Sequence, residues 1–230
     1  MIAQRLFRSW RERPHIHLTV AIDMTEAIAC RREHPEIAYN DLLVKALATC
    51  LLEFAAVNAS LGDGVVRRHA EVNIGLAVAV GDDSLFVLVI REAEERSLAE
   101  IAEVRRELVE KAQARRLLPQ EMSGGTFARA NLGMYGVEQF TTVINPPETG
   151  ILAVGAIEGQ PCVSQGQVVI RPLIRVTLGV DHRLVDGALG ARFLRRFKQL
   201  MEAAGSRARV NPSQCAWSDG GTENGHATGG

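Results

Sequence analysis

The apolar positions of this chain change period several times, and each change marks an element. Ile2, Leu6, Phe7 and Trp10 share one face of a helix over residues 1–13, which Pro14 ends. From His15 the period drops to two. Ile16, Leu18, Val20 and Ile22 alternate with more polar residues, a strand pattern. Thr25 is placed to cap a helix running to about Arg32, and His34-Pro35-Glu36 is a turn. Asn40 or Asp41 caps the next helix, Leu42 to Phe54, whose apolar residues go almost all the way round and predict burial. Residues 58–64 read as a loop. Val72–Val80 and Leu85–Ile90 read as adjacent strands joined by Gly81-Asp82-Asp83-Ser84.

Ser97-Leu98-Ala99-Glu100 has the spacing of a capping box. The helix after it, to about Arg116, carries one apolar stripe (Leu98, Ile101, Val104, Leu108, Ala112) and an otherwise solvated, charged surface. After Gly124-Gly125, strands are expected at Thr141–Ile144, Gly150–Ala156, Gln167–Ile170 and Ile174–Val180. A last helix is expected over Gly187–Ala204. Strands and helices mix without strict alternation, which predicts an α/β (α+β) domain, a mixed sheet packed with helices. Residues 1–205 form that domain. Residues 206–230 are polar and Gly-rich and are expected to be a disordered tail.

Composition adds exclusions. Of 230 residues, 47% are hydrophobic and 23% charged, ordinary for a globular domain. The formal charge of −1 gives no bias toward nucleic acid or an anionic membrane surface. No run approaches the ~18 apolar residues of a membrane span, and no basic-then-apolar leader opens the chain. Cys30, Cys50, Cys162 and Cys215 are scattered without CxxC spacing, so no metal site is expected, and reduced thiols suit a cytoplasmic protein.

The chemistry concentrates in Asp181-His182-Arg183-Leu184-Val185-Asp186-Gly187, between a predicted core strand and a predicted helix. Imidazole is the side chain best suited to accept a proton near neutral pH. A lone histidine in a charged turn is more often structural, and spacing alone does not decide.

The longer run, Asp181 to Leu194, resembles the signature of the acyltransferase components of 2-oxo-acid dehydrogenase complexes. Further runs resemble the same family in the same order. They are Ile2-Ala3-Gln4-Arg5, Pro14-His15, Leu43 to Leu47, Asn58-Ala59-Ser60, Asn73-Ile74-Gly75, Asn131 to Gly136, Ile144 to Pro147 and Ile151 to Ala156. The resemblance covers about residues 2–202. It implies a chloramphenicol acetyltransferase-like two-layer sandwich, assembled as a homotrimer or a larger cage of trimers, with active sites between neighbours. It implies His182 as general base, Asp186 as its partner in the motif, and Arg5 as an N-terminal arginine that pairs with the motif aspartate. Asn131 and Gly133 are candidates to line a coenzyme A channel, and a tight turn explains Gly133 equally well.

The implied reaction exchanges an acyl group between CoA, a substrate, and a dihydrolipoyl thiol. No metal is required. The lipoyl group would come from another chain, since no lipoyl or subunit-binding domain precedes Met1. Dehydrogenase components or a lipoyl carrier are the implied partners.

The chain departs from the family pattern in two places. Relatives carry Ser or Thr where Ala130 stands, a hydroxyl that donates to the oxyanion, and a proline where Leu88 stands. Three readings follow: an active enzyme whose donor is a water, Thr126 or a backbone N–H; a weakened trimeric scaffold; and a stand-alone transferase for a small acceptor. His15 and His17 are expected to be structural, and Tyr135, which could close over the substrate, is expected to be an aromatic core residue. Arg175 and Arg183 suit either CoA phosphates or intersubunit salt bridges.

Overall fold

The computed structural model describes residues 2–62, 64–81 and 84–204. The expected tail at 206–230 lies outside the described residues. Five α-helices and eight strands follow one another as α1 (Ile2–Glu12), β1 (His15–Asp23), α2 (Thr25–Glu33), α3 (Tyr39–Glu53), β2 (Ala59–Gly62), β3 (Val65–Arg68), β4 (Ile74–Val80), β5 (Ser84–Ile90), α4 (Leu98–Gln113), β6 (Phe127–Asn131), β7 (Gly150–Ser164), β8 (Gln167–Asp181) and α5 (Gly187–Glu202). Six strands form one mixed sheet in the order β1-β8-β7-β6-β4-β5, and β2 and β3 form a separate hairpin. The β4–β6 and β6–β7 pairs are parallel and the remaining pairs are antiparallel. This is the α/β architecture with a mixed sheet that the sequence predicts.

The two faces of the sheet differ in chemistry. Register aligns Ile16, Leu18, Val20 and Ile22 of β1 with Val180, Leu178, Val176 and Ile174 of β8. With Leu152 and Val154 of β7 they join the main core, together with Leu43, Leu47 and Leu51 of α3 and Phe193, Phe197 and Leu200 of α5. Burying such side chains stabilises the fold by about 1.5–3 kcal/mol each. The opposite face presents small and polar residues in the same rows: His17, Gly179, Ile151 and Ala128 in one, Thr19, Thr177, Ala153 and Ala130 in the next.

A segment with no strand of its own crosses that second face, where a strand is expected at Thr141–Ile144. Its carbonyls are taken by side chains, leaving no ladder to form. The His17 ring lies 3.3 Å from the Thr142 carbonyl oxygen. Ser9 Oγ donates to the Ile144 carbonyl (2.6 Å), Arg5 Nη2 to that of Pro146 (2.6 Å), and Arg13 Nη1 to that of Glu148 (2.7 Å). His15 completes the set. Its Nε2 accepts from the Ile144 N–H (3.1 Å), so its Nδ1 carries the proton toward the Arg13 carbonyl (2.8 Å).

Other boundaries shift for local reasons. Thr25 is the first residue of α2, and Asp23 Oδ1 accepts from its N–H (2.9 Å) and its hydroxyl (2.5 Å). α3 starts after Ala38, whose N–H is bonded by Asp41 Oδ2 (2.8 Å), so Asp41 reaches back from inside the helix. The expected loop at 58–64 contains β2, which pairs with β3. Gln167–Asp181 is one strand, since β7 and β8 run beyond the sheet as a two-stranded arm turning at Gln165 and Gly166, both at positive φ. The Ser97–Glu100 capping box is present in both directions. Phe7 and Trp10 of α1 are exposed and Leu6 is half-buried, and Tyr135, expected in the core, is exposed on the short turn after β6. The Ile2 side chain lies outside the described residues. Among the described residues, Cys30, Cys50 and Cys162 form no disulfide.

The crossing segment leaves no room at Gly155, where an added Cβ would fall inside the shell of the Glu138 carbonyl. Gly155→Ala is therefore expected to destabilise the domain by about 3 kcal/mol, at the upper end of overpacking costs. Thermal unfolding of the variant measures this, and an unchanged melting temperature would contradict the packing.

Candidate active site

His182 stands on the turn after β8, with an exposed side chain on a fixed backbone. Its N–H donates to the Pro14 carbonyl (2.8 Å), and the N–H of Asp181 donates to the Thr149 carbonyl (2.9 Å). Asp181 is fully buried and accepts from the Arg183 N–H (3.1 Å), Nε (2.9 Å) and Nη2 (2.6 Å). Burial works against its charge, but the hydrogen bonds and charge of Arg183, with Arg13 in support, hold the carboxyl below the usual range. Arg13 bridges this cluster to the crossing segment, lying 4.0 Å from Asp181 Oδ2 while bonding the Glu148 carbonyl. Desolvation lowers the Arg13 pKa, and the charge of Asp181 opposes that shift. The turn that presents His182 is thus anchored on both sides while its imidazole faces outward.

The other sequence candidates occupy different places. Asp186 is the N-cap of α5: its Oδ1 accepts from the Leu189 N–H at 2.7 Å. Arg5 reaches the Pro146 carbonyl, and among the described residues it forms no ion pair with Asp181 or Asp186. The arginines at Asp181 are Arg183, in direct contact, and Arg13, at 4.0 Å. Arg5 is two helical turns earlier, and the geometry of the strapped segment directs it to a carbonyl.

Ala130 lies in the row of Thr177, five residues before His182 on β8, with β7 between them. At about 3.3 Å per residue, Ala130 and His182 of one chain are on the order of 16 Å apart along the strands alone. Asn131 Nδ2 donates to Asn40 Oδ1 (3.0 Å), and its Oδ1 accepts from the Gly133 N–H (2.8 Å). Gly133 is the residue of a tight approach: an added Cβ would sit 2.5 Å from the Gly155 carbonyl oxygen. Both also line a cleft of about 280 Å³ with Arg31, Tyr39 and Asn40. Thr126 does not offer a free hydroxyl, since it accepts from the Asn73 N–H (3.0 Å) and donates to the Asn73 carbonyl (3.3 Å).

Two buried ionisable residues had no signal in the sequence. Arg129 is enclosed on the helix side of β6, donating to Asn40 Oδ1 (3.0 Å). Desolvation lowers its pKa to about 10, with Asp41 pulling the other way. Glu148, in the turn after Pro147, is only 5% exposed. Burial pushes its carboxyl up to about 8, although Arg5, Arg13 and Asn145 oppose the shift. Nothing in a proline-rich turn sequence foretells which side chain is enclosed.

The raised Glu148 value has a stability consequence. In the unfolded chain the group ionises near 4.5, and in the fold near 8. Between those values the native state holds the extra proton, so stability falls as pH rises, by a total on the order of a few kcal/mol. Glu148→Gln removes the linkage. Its melting temperature relative to the parent should rise between pH 5 and pH 8, and a constant difference across that range would contradict the buried neutral acid.

With this geometry in place, the likeness to known proteins can be assigned. The model of the 2-oxoacid dehydrogenases acyltransferase (catalytic domain) matches residues 1–207. The acetyltransferase component of the pyruvate dehydrogenase complex of Rickettsia felis is 36% identical over 212 residues, covering 88% of this chain and 51% of that protein. The chain therefore spans about half the length of the curated relatives it matches. A crystallographic and enzymatic study addressed a serine, a histidine and an asparagine in the catalytic mechanism of Azotobacter vinelandii dihydrolipoamide acetyltransferase. That structure superposes with a TM-score of 0.83 at 34% identity, covering 91% of this chain and 89% of the other. The cubic core of the pyruvate dehydrogenase multienzyme complex gives 0.82 at 34% identity, with the same coverage. Chloramphenicol acetyltransferase, at 10% identity and a TM-score of 0.60 over 86% of this chain and 94% of its own, shares the fold. The chain belongs to the 2-oxoacid dehydrogenase acyltransferase family, of which it carries the catalytic domain.

Proposed function

We propose that the domain exchanges an acyl group between CoA and a dihydrolipoyl-type thiol, with His182 as general base. The observation that carries this is the anchored turn presenting an exposed His182 in a chain of this family. In the Azotobacter vinelandii enzyme the serine precedes the histidine by fifty-two positions and the asparagine follows it by four. Ala130, His182 and Asp186 keep that spacing here. His182 takes the proton of the attacking thiol, and the thiolate adds to the thioester carbonyl. The tetrahedral intermediate collapses, the carbon–sulfur bond to the first thiol breaks, and His182 returns the proton to it. Asp186 acts through the helix it caps, fixing the C-terminal side of the His182 turn.

The separation of Ala130 from His182 supports a site completed by a second copy, with His182 of one chain facing β6 of its neighbour. A three-fold oligomer, alone or within a cage of trimers like the cubic core of the relative, provides such a pairing. Asn131 and Gly133, on the cleft beside Ala130, are placed to receive CoA. With Thr126 engaged and Ala130 bearing only a methyl group, the oxyanion donor is a backbone N–H or a water. The second reading, a weakened core that scaffolds partner enzymes, draws its support from that missing hydroxyl.

The two readings separate in a turnover assay with acyl-CoA and free dihydrolipoamide. His182→Ala should abolish exchange while leaving the oligomer intact, and exchange at the parental rate would overturn the mechanism. Ala130→Ser should raise kcat about tenfold with little change in KM, because a donor aimed at the developing charge acts in the transition state. An inactive parent that Ala130→Ser fails to rescue would favour the scaffold. Sedimentation should show a trimer or a multiple of it, and a stable 25.0 kDa monomer at micromolar concentration would exclude the split site.

A further inference from the structure

A second cleft, of about 420 Å³, opens beside the residues that lead into β6. Its walls include Arg68 and His69 from the end of β3, Asn73, Gly125, and Pro147 with Glu148 from the crossing segment. Glu148 Oε2 is buried and has no hydrogen-bond partner within the chain. Its Oε1 lies against Gly125, where an added Cβ would stand 3.3 Å away, so the glycine leaves the carboxyl its space in the cleft wall. A buried oxygen without a partner costs about 1–3 kcal/mol, which a bound group would recover.

The position of Glu148 is not arbitrary. β7 and β8 pair Gly150 with Val180, and the Asp181 N–H to Thr149 carbonyl bond continues that ladder one step. Glu148 directly precedes Thr149 on that ladder and His182 directly follows Asp181, while the Glu148 backbone itself bridges to Ser60 of β2. The surrounding turn is held by Arg13 on the Glu148 carbonyl and by the Thr149 hydroxyl on the Ala59 carbonyl. A cleft with one unpartnered carboxyl oxygen in its wall therefore lies a single residue from the strand pair that leads to the His182 turn.

An un-ionised carboxyl offers one donor and one acceptor side by side. That pair is complementary to the C=O and N–H of an amide. Both thiol arms of the proposed exchange, pantetheine and dihydrolipoamide, carry an amide and no charge near the thiol. Resting on that exchange, we propose that this cleft is a binding subsite for the amide of a thiol-bearing arm, with the Glu148 carboxyl as its hydrogen-bonding partner and Gly125 shaping its wall. The subsite lies on the chain that supplies His182, separate from the cleft beside Asn131.

Calorimetric titration of the full-length oligomer with CoA, with dihydrolipoamide and with an amide-free alkyl dithiol tests this. For the ligand whose amide is held, Glu148→Ala should weaken Kd about tenfold, and Glu148→Gln, which keeps a donor and an acceptor, should restore most of the affinity. Whichever of CoA or dihydrolipoamide responds is the arm that occupies the cleft. The amide-free dithiol should bind the parent and both variants alike. Should Glu148→Ala fail to fold, Gly125→Val, which crowds the carboxyl from the cleft wall, should weaken Kd for the same ligand about tenfold. Parental binding of both ligands that neither Glu148→Ala nor Gly125→Val alters overturns the subsite and leaves the exchange reading intact. A parent that binds neither ligand overturns both.

Discussion

The site depends on how residues 142–148 satisfy their backbone. They lie on a sheet face made mostly of Gly, Ala and Thr, and apart from the bridge of Glu148 to Ser60 they join no strand. Buried carbonyls left unbonded would each cost more than a hydrogen bond normally contributes. The chain meets this requirement with His17, Ser9, Arg5 and Arg13, which approach alternate carbonyls from Thr142 to Glu148. Because these side chains come from α1 and the start of β1, the N-terminal segment, the crossing segment and the His182 turn form one unit. Pro14 completes it by accepting the His182 N–H.

That unit also bears on why the candidate site residues fall into two separate halves on one sheet. His182 is fixed at the end where β7 begins, while Ala130 and Asn131 stand at the end where β6 stops. The same packing that holds each half rigid keeps them apart in one chain. An exposed α1, with Phe7 and Trp10 facing outward, adds apolar surface near the His182 side. These features are consistent with a functional unit larger than one chain, as proposed above.

Much of this was legible in the sequence where local rules decide. The alternation of Ile16 to Ile22, the Ser97–Glu100 capping box and the β4–β5 hairpin all appear as expected. The motif around His182 was legible as a family signature, and His182 lies on a turn between a core strand and a helix, as its surroundings suggest. Long-range substitutions of one bond for another were not legible. Thr141–Ile144 has strand composition but spends its carbonyls on side chains from more than a hundred residues away. Arg5 was the arginine expected at the motif aspartate, and only the fold shows it reaching Pro146 instead. The enclosure of Glu148 and Arg129 depends on which loops cover them, and neither leaves a periodic trace.

The central claim is that a working site joins His182 of one chain to β6 of another. Subunit mixing tests it most directly. One variant, His182→Ala, lacks the base, and a second, Ala130→Leu, fills the space on β6. Dissociated and reassembled together, with mixed oligomers verified by mass, they should recover acyl exchange that neither shows alone, because some interfaces pair an intact His182 with an intact β6. Mixed oligomers that remain inactive, beside a parent that regains activity through the same treatment, would contradict the account.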